Sequence, residues 1–136
     1  LSEADLTAFR GRSIRALSSG EWQRALLARA LAQQTPVLLL DEPAAHLDPG
    51  HLFAVHVLLR RLAREQQRAV LYVSHDLNLA AEFSDRLMMM SDGRMHAMGK
   101  PAEVLTSENL QAVFRCGALR VTTNPFTGRP GTVFAP

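Results

Sequence analysis

The sequence predicts an α/β fold built on a parallel β-sheet, and three observations lead to this prediction. The aliphatic run from Val37 to Leu40 has the composition of a buried strand, and a second such run covers residues 69–73. Between them lies a segment whose apolar residues recur every three or four positions, as on one face of a helix. A strand, a helix and a strand in succession are typical of a βαβ unit with two parallel strands.

A helix over residues 18–34 is predicted to precede the first strand. Ser18 and Glu21 have the spacing of a capping box at its start, and Pro36 ends it. Residues 1–16 mix polar and apolar groups, which indicates a short helix and a loop. The face of the 18–34 helix that we expect to be buried carries Leu26, Leu27, Ala30 and Leu31.

The first strand is predicted at residues 37–41. Its aliphatic residues are uninterrupted, so we expect both of its faces to be covered. The next helix begins with an acid at the N-cap, Asp48, and a proline in the first turn, Pro49. Its apolar stripe consists of Leu52, Val55, Leu58, Leu59 and Leu62.

After the second strand, Asp76 is placed to cap a short helix, and residues 86–98 are predicted to form a hairpin around Asp92-Gly93. Residues 101–114 indicate two short helices, and the Pro/Gly-rich tail from Val121 is predicted to be extended. The methionines of the hairpin are expected to pack in the core, where thioethers adapt to irregular space. They are Met88, Met89, Met90, Met95 and Met98.

Length and composition limit the possible classes of protein. The 136 residues suffice for one domain or part of one, and 47% are hydrophobic. We see no signal peptide and no apolar run of roughly 18 residues that would span a membrane. The start at leucine suggests a fragment, and the single cysteine, Cys116, indicates a reducing compartment. The net charge of +2 is dispersed, which disfavours nucleic-acid binding.

Three polar segments follow strands or open helices, where α/β proteins bind ligands. Residues 17–21 offer hydroxyls and the amide groups of a helix start, which attract phosphate. Asp41 and Glu42 are adjacent acids at a strand end, which are costly to bury unless a cation or hydrogen bonds compensate them. They could also be ordinary strand-end caps. His75 follows the second strand and could donate to a phosphate oxygen.

Two other interpretations are disfavoured. Residues 74–76 read Ser-His-Asp, but neighbours on a strand point to opposite faces and cannot form a catalytic triad. His46, His51 and His56 lie five residues apart, which spreads them around a helix and disfavours a shared metal site.

The motifs, in this order, resemble the carboxyl-terminal half of an ABC-transporter ATPase subunit. Residues 17–24 resemble the signature and its helix, and Val37–Pro43 resembles the Walker B strand. Residues 45–48 resemble the D-loop and residues 74–76 the switch-histidine loop. The resemblance implies a three-layer fold of P-loop NTPase type with a parallel sheet and a helical signature segment. Residues 1–120 would form a partial ATPase domain and residues 121–136 an extended tail.

The resemblance also implies a set of site residues for ATP and Mg²⁺. Asp41 would hold Mg²⁺ through water, Glu42 would polarise the attacking water and His75 would contact the γ-phosphate. Asp48 would couple the two sites of a dimer. The residues that would contact ATP bound mainly by the other subunit are Ser18, Ser19, Gly20 and Glu21.

Two features depart from the family pattern. Ser19 stands where the family usually has glycine, so we expect weaker rather than lost function. No G-x-x-x-x-G-K-[ST] phosphate loop occurs in the 136 residues, and the glutamine loop is also missing. Either the chain is truncated or a separate polypeptide supplies these parts.

The function that the resemblance implies is ATP hydrolysis coupled to import of a metal chelate, such as cobalamin, a ferric siderophore or haem. Residues 20–24, 74–78 and 124–128 are most similar to that group. The expected partners are a second ATPase subunit, in a homodimer, membrane permease subunits and, indirectly, a substrate-binding protein, but no nucleic acid. The expected location is the cytoplasmic face of the plasma membrane.

Two alternatives remain beside this function. One is a truncated or degenerate module that dimerises or docks on a permease without hydrolysing ATP. The other is a soluble relative in DNA repair or translation. The short spacing between the signature and the Walker B strand disfavours the latter, as does the lack of a basic stripe.

Overall fold

The computed structural model describes residue 11 and residues 13–135. The described residues form two compact units, one ending at His75 and one beginning at Asp76, each with its own apolar core. The helix and loop expected in residues 1–16 can be compared only at Ile14–Ala16, which form a 3₁₀ turn. The prediction for residues 1–10 lies outside the described residues.

The first unit contains the predicted βαβ arrangement. The elements are α1 (Ser19–Ala32), β1 (Val37–Asp41), α2 (Pro49–Glu65) and β2 (Ala69–Val73). Strands β1 and β2 are parallel, with Val37 opposite Ala69 and Asp41 opposite Val73. The carboxyl ends of both strands therefore lie side by side, which is the arrangement that the sequence predicted.

Both helices of this unit begin at the predicted caps. Ser18 accepts a hydrogen bond on its hydroxyl from the backbone N–H of Glu21 at 3.3 Å, and the Glu21 carboxylate accepts from the Ser18 N–H at 2.7 Å. At α2, one carboxylate oxygen of Asp48 accepts from the N–H groups of Gly50 and His51, both at 3.1 Å. These side chains satisfy amide groups that have no partner within the helix.

The core of the first unit lies on one face of the two strands. Leu38, which is 3% exposed, packs there with Leu27 of α1 and with residues of α2. The buried residues of α2 are Val55, His56, Leu58, Leu59 and Leu62. His56 is satisfied within the core, because its Nδ1 lies 2.8 Å from the carbonyl oxygen of Leu52.

The prediction that the first strand is covered on both faces is wrong for the described residues. Leu39 is 72% exposed, and Val37, Leu71 and Val73 are also exposed. Side chains alternate between the faces of a strand, and α1 and α2 pack on the face of Leu38. The described residues therefore leave the Leu39 face open.

The second unit begins with α3 (Leu77–Phe83) and a hairpin of β3 (Leu87–Ser91) and β4 (Arg94–Gly99). The hairpin confirms the Asp-Gly turn: Asp92 and Gly93 have φ values of 50° and 73°, as such turns require. The two predicted short helices follow as α4 (Pro101–Val104) and α5 (Ser107–Phe114). The last elements are β5 (Leu119–Thr123) and β6 (Pro130–Phe134).

The expectation for the methionines of this unit needs correction, whereas the expectation for the tail lacked only its pairing. Met89 is buried, but the other four methionines of the hairpin are about half exposed, so only Met89 packs in the core. The segment from Val121 is extended, but it is paired: β5 and β6 form an antiparallel hairpin with Thr123 opposite Pro130. Within the part of the chain that the structure describes, no helix is both long and apolar enough to cross a bilayer.

Candidate active site

Glu42 and His75 meet where β1 and β2 end. Glu42 follows β1 directly, and the His75 Nδ1 lies 3.2 Å from the Glu42 Oε1. The side chain of Glu42 is 44% exposed and that of His75 is 80% exposed, so both can be reached by a ligand. The parallel pairing thus brings together two residues that lie 33 positions apart in the sequence, 75 minus 42.

The backbone at Glu42 has a left-handed conformation with a φ of 43°. This region costs a residue with a side chain about 1–2 kcal/mol, so surrounding contacts must hold it. The Glu42 N–H donates to the carbonyl oxygen of Val73 at 3.2 Å. The Glu42 carbonyl accepts from the Ala45 N–H at 3.1 Å and from the Gln23 Nε2 at 2.8 Å. Both polar groups of the Glu42 backbone are therefore engaged.

Asp41 is the last residue of β1 and is exposed. Strand alternation places it on the same face as Leu39. Within residues 13–135 and residue 11, no group of three or more His, Cys, Asp or Glu side chains could enclose a metal ion. Mg²⁺ needs no such group, since it often binds through one or two carboxylates, water and the phosphates of a nucleotide. The single carboxylate of Asp41 fits that kind of binding.

The amino-terminal end of α1 contains the four residues predicted to contact ATP. The Ser18 hydroxyl and the Glu21 carboxylate form the capping box, so these groups cap the helix. Ser19 is exposed, whereas Gly20 is partly buried. A Cβ atom on Gly20 would lie 3.3 Å from the Leu47 Cδ2, so glycine permits the start of α1 to approach the turn before Asp48.

Asp48 also binds the side chain of His51. The Asp48 Oδ2 lies 2.5 Å from the His51 Nδ1, and both side chains are exposed in part, at 63% and 42%. The hydrogen bond from the His51 side chain, and then the one from its backbone, lowers the pKa of the Asp48 carboxyl below its ordinary value of 3.8. Asp48 is thus a helix cap whose carboxylate is fixed on both oxygens.

The structure therefore pairs Glu42 with His75, and Asp41 precedes Glu42 in the sequence as the last residue of β1. It also brings Gly20 close to the turn that contains Leu47. The sequence interpretation gave no role to Gln23 or to His51. The i, i+3 spacing of His51 from an N-cap acid could have indicated its contact, whereas the contact of Gln23 with residue 42 depends on tertiary packing.

Comparison with known proteins relates this chain to one family. The ABC transporter family matches residues 1–45. The hemin import ATP-binding protein HmuV of Pseudomonas aeruginosa is 49% identical over 96% of this chain and 52% of that protein. The cobalamin import ATP-binding protein BtuD of Halobacterium salinarum is 45% identical over 94% of this chain and 32% of that protein.

Solved structures agree with these relatives. A metal-chelate type ABC transporter in an inward-facing conformation is 30% identical with a TM-score of 0.84, covering 100% of this chain and 53% of that one. This chain belongs to the ABC transporter family. A dimeric ATP-binding cassette bound to ADP and phosphate is 34% identical with a TM-score of 0.70. That match covers 74% of this chain and 43% of the chain of the cassette.

The resemblance on which the sequence interpretation depended is therefore confirmed, and so is the predicted ABC ATPase fold of P-loop NTPase type. This ABC chain spans between about a third and a half of the length of the curated relatives it matches.

Proposed function

We propose that this chain provides the metal-binding acid, the water-activating carboxylate and the switch histidine of an ATP-hydrolysing importer subunit. The observation that carries the proposal is the contact between Glu42 and His75, 3.2 Å apart at the strand ends, with Asp41 adjacent. The substrate class that we propose is a metal chelate such as cobalamin, a ferric siderophore or haem. The names of the relatives HmuV and BtuD support this class.

The chemistry follows from the side chains. The Glu42 carboxylate accepts a hydrogen bond from water and takes its proton as the water oxygen bonds to the γ-phosphorus. The bond from that phosphorus to the β-phosphate oxygen breaks and ADP leaves, while the His75 imidazole donates to a γ-phosphate oxygen. Asp41 would hold Mg²⁺ through water, and the ion would supply positive charge to the phosphate oxygens. Glu42 and His75 lie within hydrogen-bonding distance, so one γ-phosphate and its water can contact both.

The start of α1 would bind the nucleotide of a second ATPase subunit. The amide groups at a helix start attract an anion, and Gly20 lets this end of the helix lie close to Leu47 in the turn before Asp48. Asp48 would join the two sites of the dimer, and the dimeric ATP-binding cassette that this chain resembles is consistent with such an assembly. The remaining proposed partners are permease subunits at the cytoplasmic face of the membrane.

The second candidate is an ABC module that dimerises or docks on a permease without hydrolysing ATP. Ser19 favours it, because an exposed serine side chain stands at the first residue of α1, where the family usually has glycine. Measured hydrolysis separates the two candidates, since only the first requires Glu42 to act on water.

The test uses a protein in which this chain follows the amino-terminal half of HmuV. We expect Glu42→Gln to reduce steady-state MgATP turnover by about 10²-fold or more, the usual contribution of a general base. Glu65→Gln is the matched control, because Glu65 is exposed at the last residue of α2. Unchanged turnover in Glu42→Gln would contradict the assignment, and an inactive starting protein would favour the docking module.

A further inference from the structure

Gln23 makes a hydrogen bond that joins α1 to the residue after β1. Its side-chain amide Nε2 donates to the Glu42 carbonyl oxygen at 2.8 Å, across 19 positions of sequence. The bond is partly buried, which limits competition from water. We propose that Gln23 is a positioning residue that sets the orientation of the Glu42 carboxylate. This proposal depends on the hydrolytic role proposed for Glu42.

The conformation of Glu42 is the reason that such a bond matters. A left-handed residue can relax by rotating its peptide groups, and this rotation would swing the carboxylate away from His75. The Glu42 carbonyl has two donors. The Ala45 N–H belongs to the same short turn and can move with it, whereas Gln23 belongs to a helix of 14 residues. Gln23 therefore anchors the strained peptide to a rigid element.

The position of Gln23 in α1 gives the bond a second consequence. Gln23 lies four residues after Ser19, so both are on one side of the helix and one turn apart. A ligand that shifts the start of α1 would also shift the donor that holds the Glu42 carbonyl. The bond is thus a physical link between the helix end that we propose binds the partner's nucleotide and the carboxylate that activates water.

The test compares variants of the protein in which this chain follows the amino-terminal half of HmuV. Gln23→Met keeps the length of the side chain and removes the donor. We expect its kcat for MgATP to fall by about tenfold, with the KM within about twofold, because a misplaced carboxylate impairs chemistry rather than binding. The matched control is Gln33→Met at the exposed end of the same helix, which should leave kcat unchanged.

A second pair of variants separates the hydrogen bond from general packing. Gln23→Lys retains a donor that can reach the carbonyl, and we expect its kcat to stay within about threefold of the starting protein. Gln23→Glu presents an acceptor to the carbonyl and should lose about tenfold or more. If Gln23→Met does not fold, Gln23→Lys and Gln23→Glu still test the proposal, because equal kcat values for these two variants would overturn it.

Two outcomes distinguish this proposal from the proposed function. If Glu42→Gln lowers turnover by about 10²-fold or more and Gln23→Met leaves kcat unchanged, the role of Gln23 is wrong and the hydrolytic function stands. If Glu42→Gln leaves turnover unchanged, the proposed function itself fails. If the role of Gln23 and the proposed function are both correct, adding Gln23→Met to Glu42→Gln should lower kcat by less than about twofold, because Gln23 acts through Glu42.

Discussion

Arg129 joins the carboxyl-terminal hairpin to the end of α3 by hydrogen bonds, and its replacement should destabilise that helix. One guanidinium nitrogen of Arg129 donates to the carbonyl oxygens of Ala81 at 2.7 Å and Ser84 at 3.0 Å. These carbonyls lie at the end of the helix, where the last C=O groups have no N–H partner within the helix. Since α3 has seven residues and isolated helices need roughly 12–15, tertiary contacts must stabilise it.

Arg129→Met keeps the apolar stem of the side chain and removes both hydrogen bonds. A hydrogen bond from a charged donor contributes about 1.5–3 kcal/mol. The site is partly buried, so water can replace part of the loss, and we take about 2 kcal/mol for the two bonds together. Because about 1.4 kcal/mol corresponds to a factor of ten in an equilibrium constant, this predicts a roughly 30-fold larger equilibrium constant for local opening of α3, and amide exchange faster by the same factor.

The assay is amide hydrogen exchange in the whole chain, read at Ser84, whose N–H donates to the carbonyl oxygen of Ala80. Arg120→Met is the control, because Arg120 is exposed in β5 and its guanidinium binds the carbonyls of Gly117 and Leu119 rather than α3. We expect the control to change exchange at Ser84 by less than about threefold. If Arg129→Met also changes exchange at Ser84 by less than about threefold, the reasoning is refuted.

Three further predictions concern stability and titration. Leu62 is 1% exposed, so Leu62→Ala should lower the free energy of unfolding by about 2–5 kcal/mol in a urea titration, and a loss well below this range would contradict its core position. Gly93→Ala should cost about 1–2 kcal/mol because of the positive φ, whereas Gly117→Ala, with no atom within 4 Å of the added Cβ, should be neutral. Equal effects would be inconsistent with the turn geometry. The pKa of the Asp48 carboxyl should lie below 3.8 by NMR titration, and His51→Leu should raise it. The stabilisation by the Asp48 carboxylate is therefore fully present above pH 3.8, the ordinary pKa, and is lost as the pH falls through the lowered pKa of the folded state.

The sequence predicted the helices and strands well where local chemistry determines them. Capping side chains define the starts of α1, α2 and α3, because Ser18, Asp48 and Asp76 each accept from amide groups a few residues ahead. The Asp92-Gly93 turn fixes the hairpin by its positive φ values. The sequence placed Glu42 and His75 at the ends of parallel strands, which lie at the same edge of a sheet, but it did not predict that the two side chains are in contact.

The sequence failed where the outcome depends on contacts distant in the chain. An aliphatic run such as Val37–Leu40 is equally compatible with one covered face or two, so the exposure of Leu39 could not be read from it. The contact of Gln23 with Glu42 requires the packing of α1 against the end of β1. The hairpin of β5 and β6 is anchored to α3 by polar contacts, such as that of Asn78 with Thr132, which no local pattern predicts.

The most direct test of the central claim is a double-mutant cycle of MgATP turnover for Glu42→Gln and His75→Ala. The cycle uses the protein joined to the amino-terminal half of HmuV. If the two side chains act as one unit on the same water and phosphate, each single change should cost about 10²-fold or more, and the double variant should lose little beyond the larger single loss. Single variants that keep turnover within about twofold, or losses that multiply fully in the double variant, would contradict a shared catalytic role for these residues.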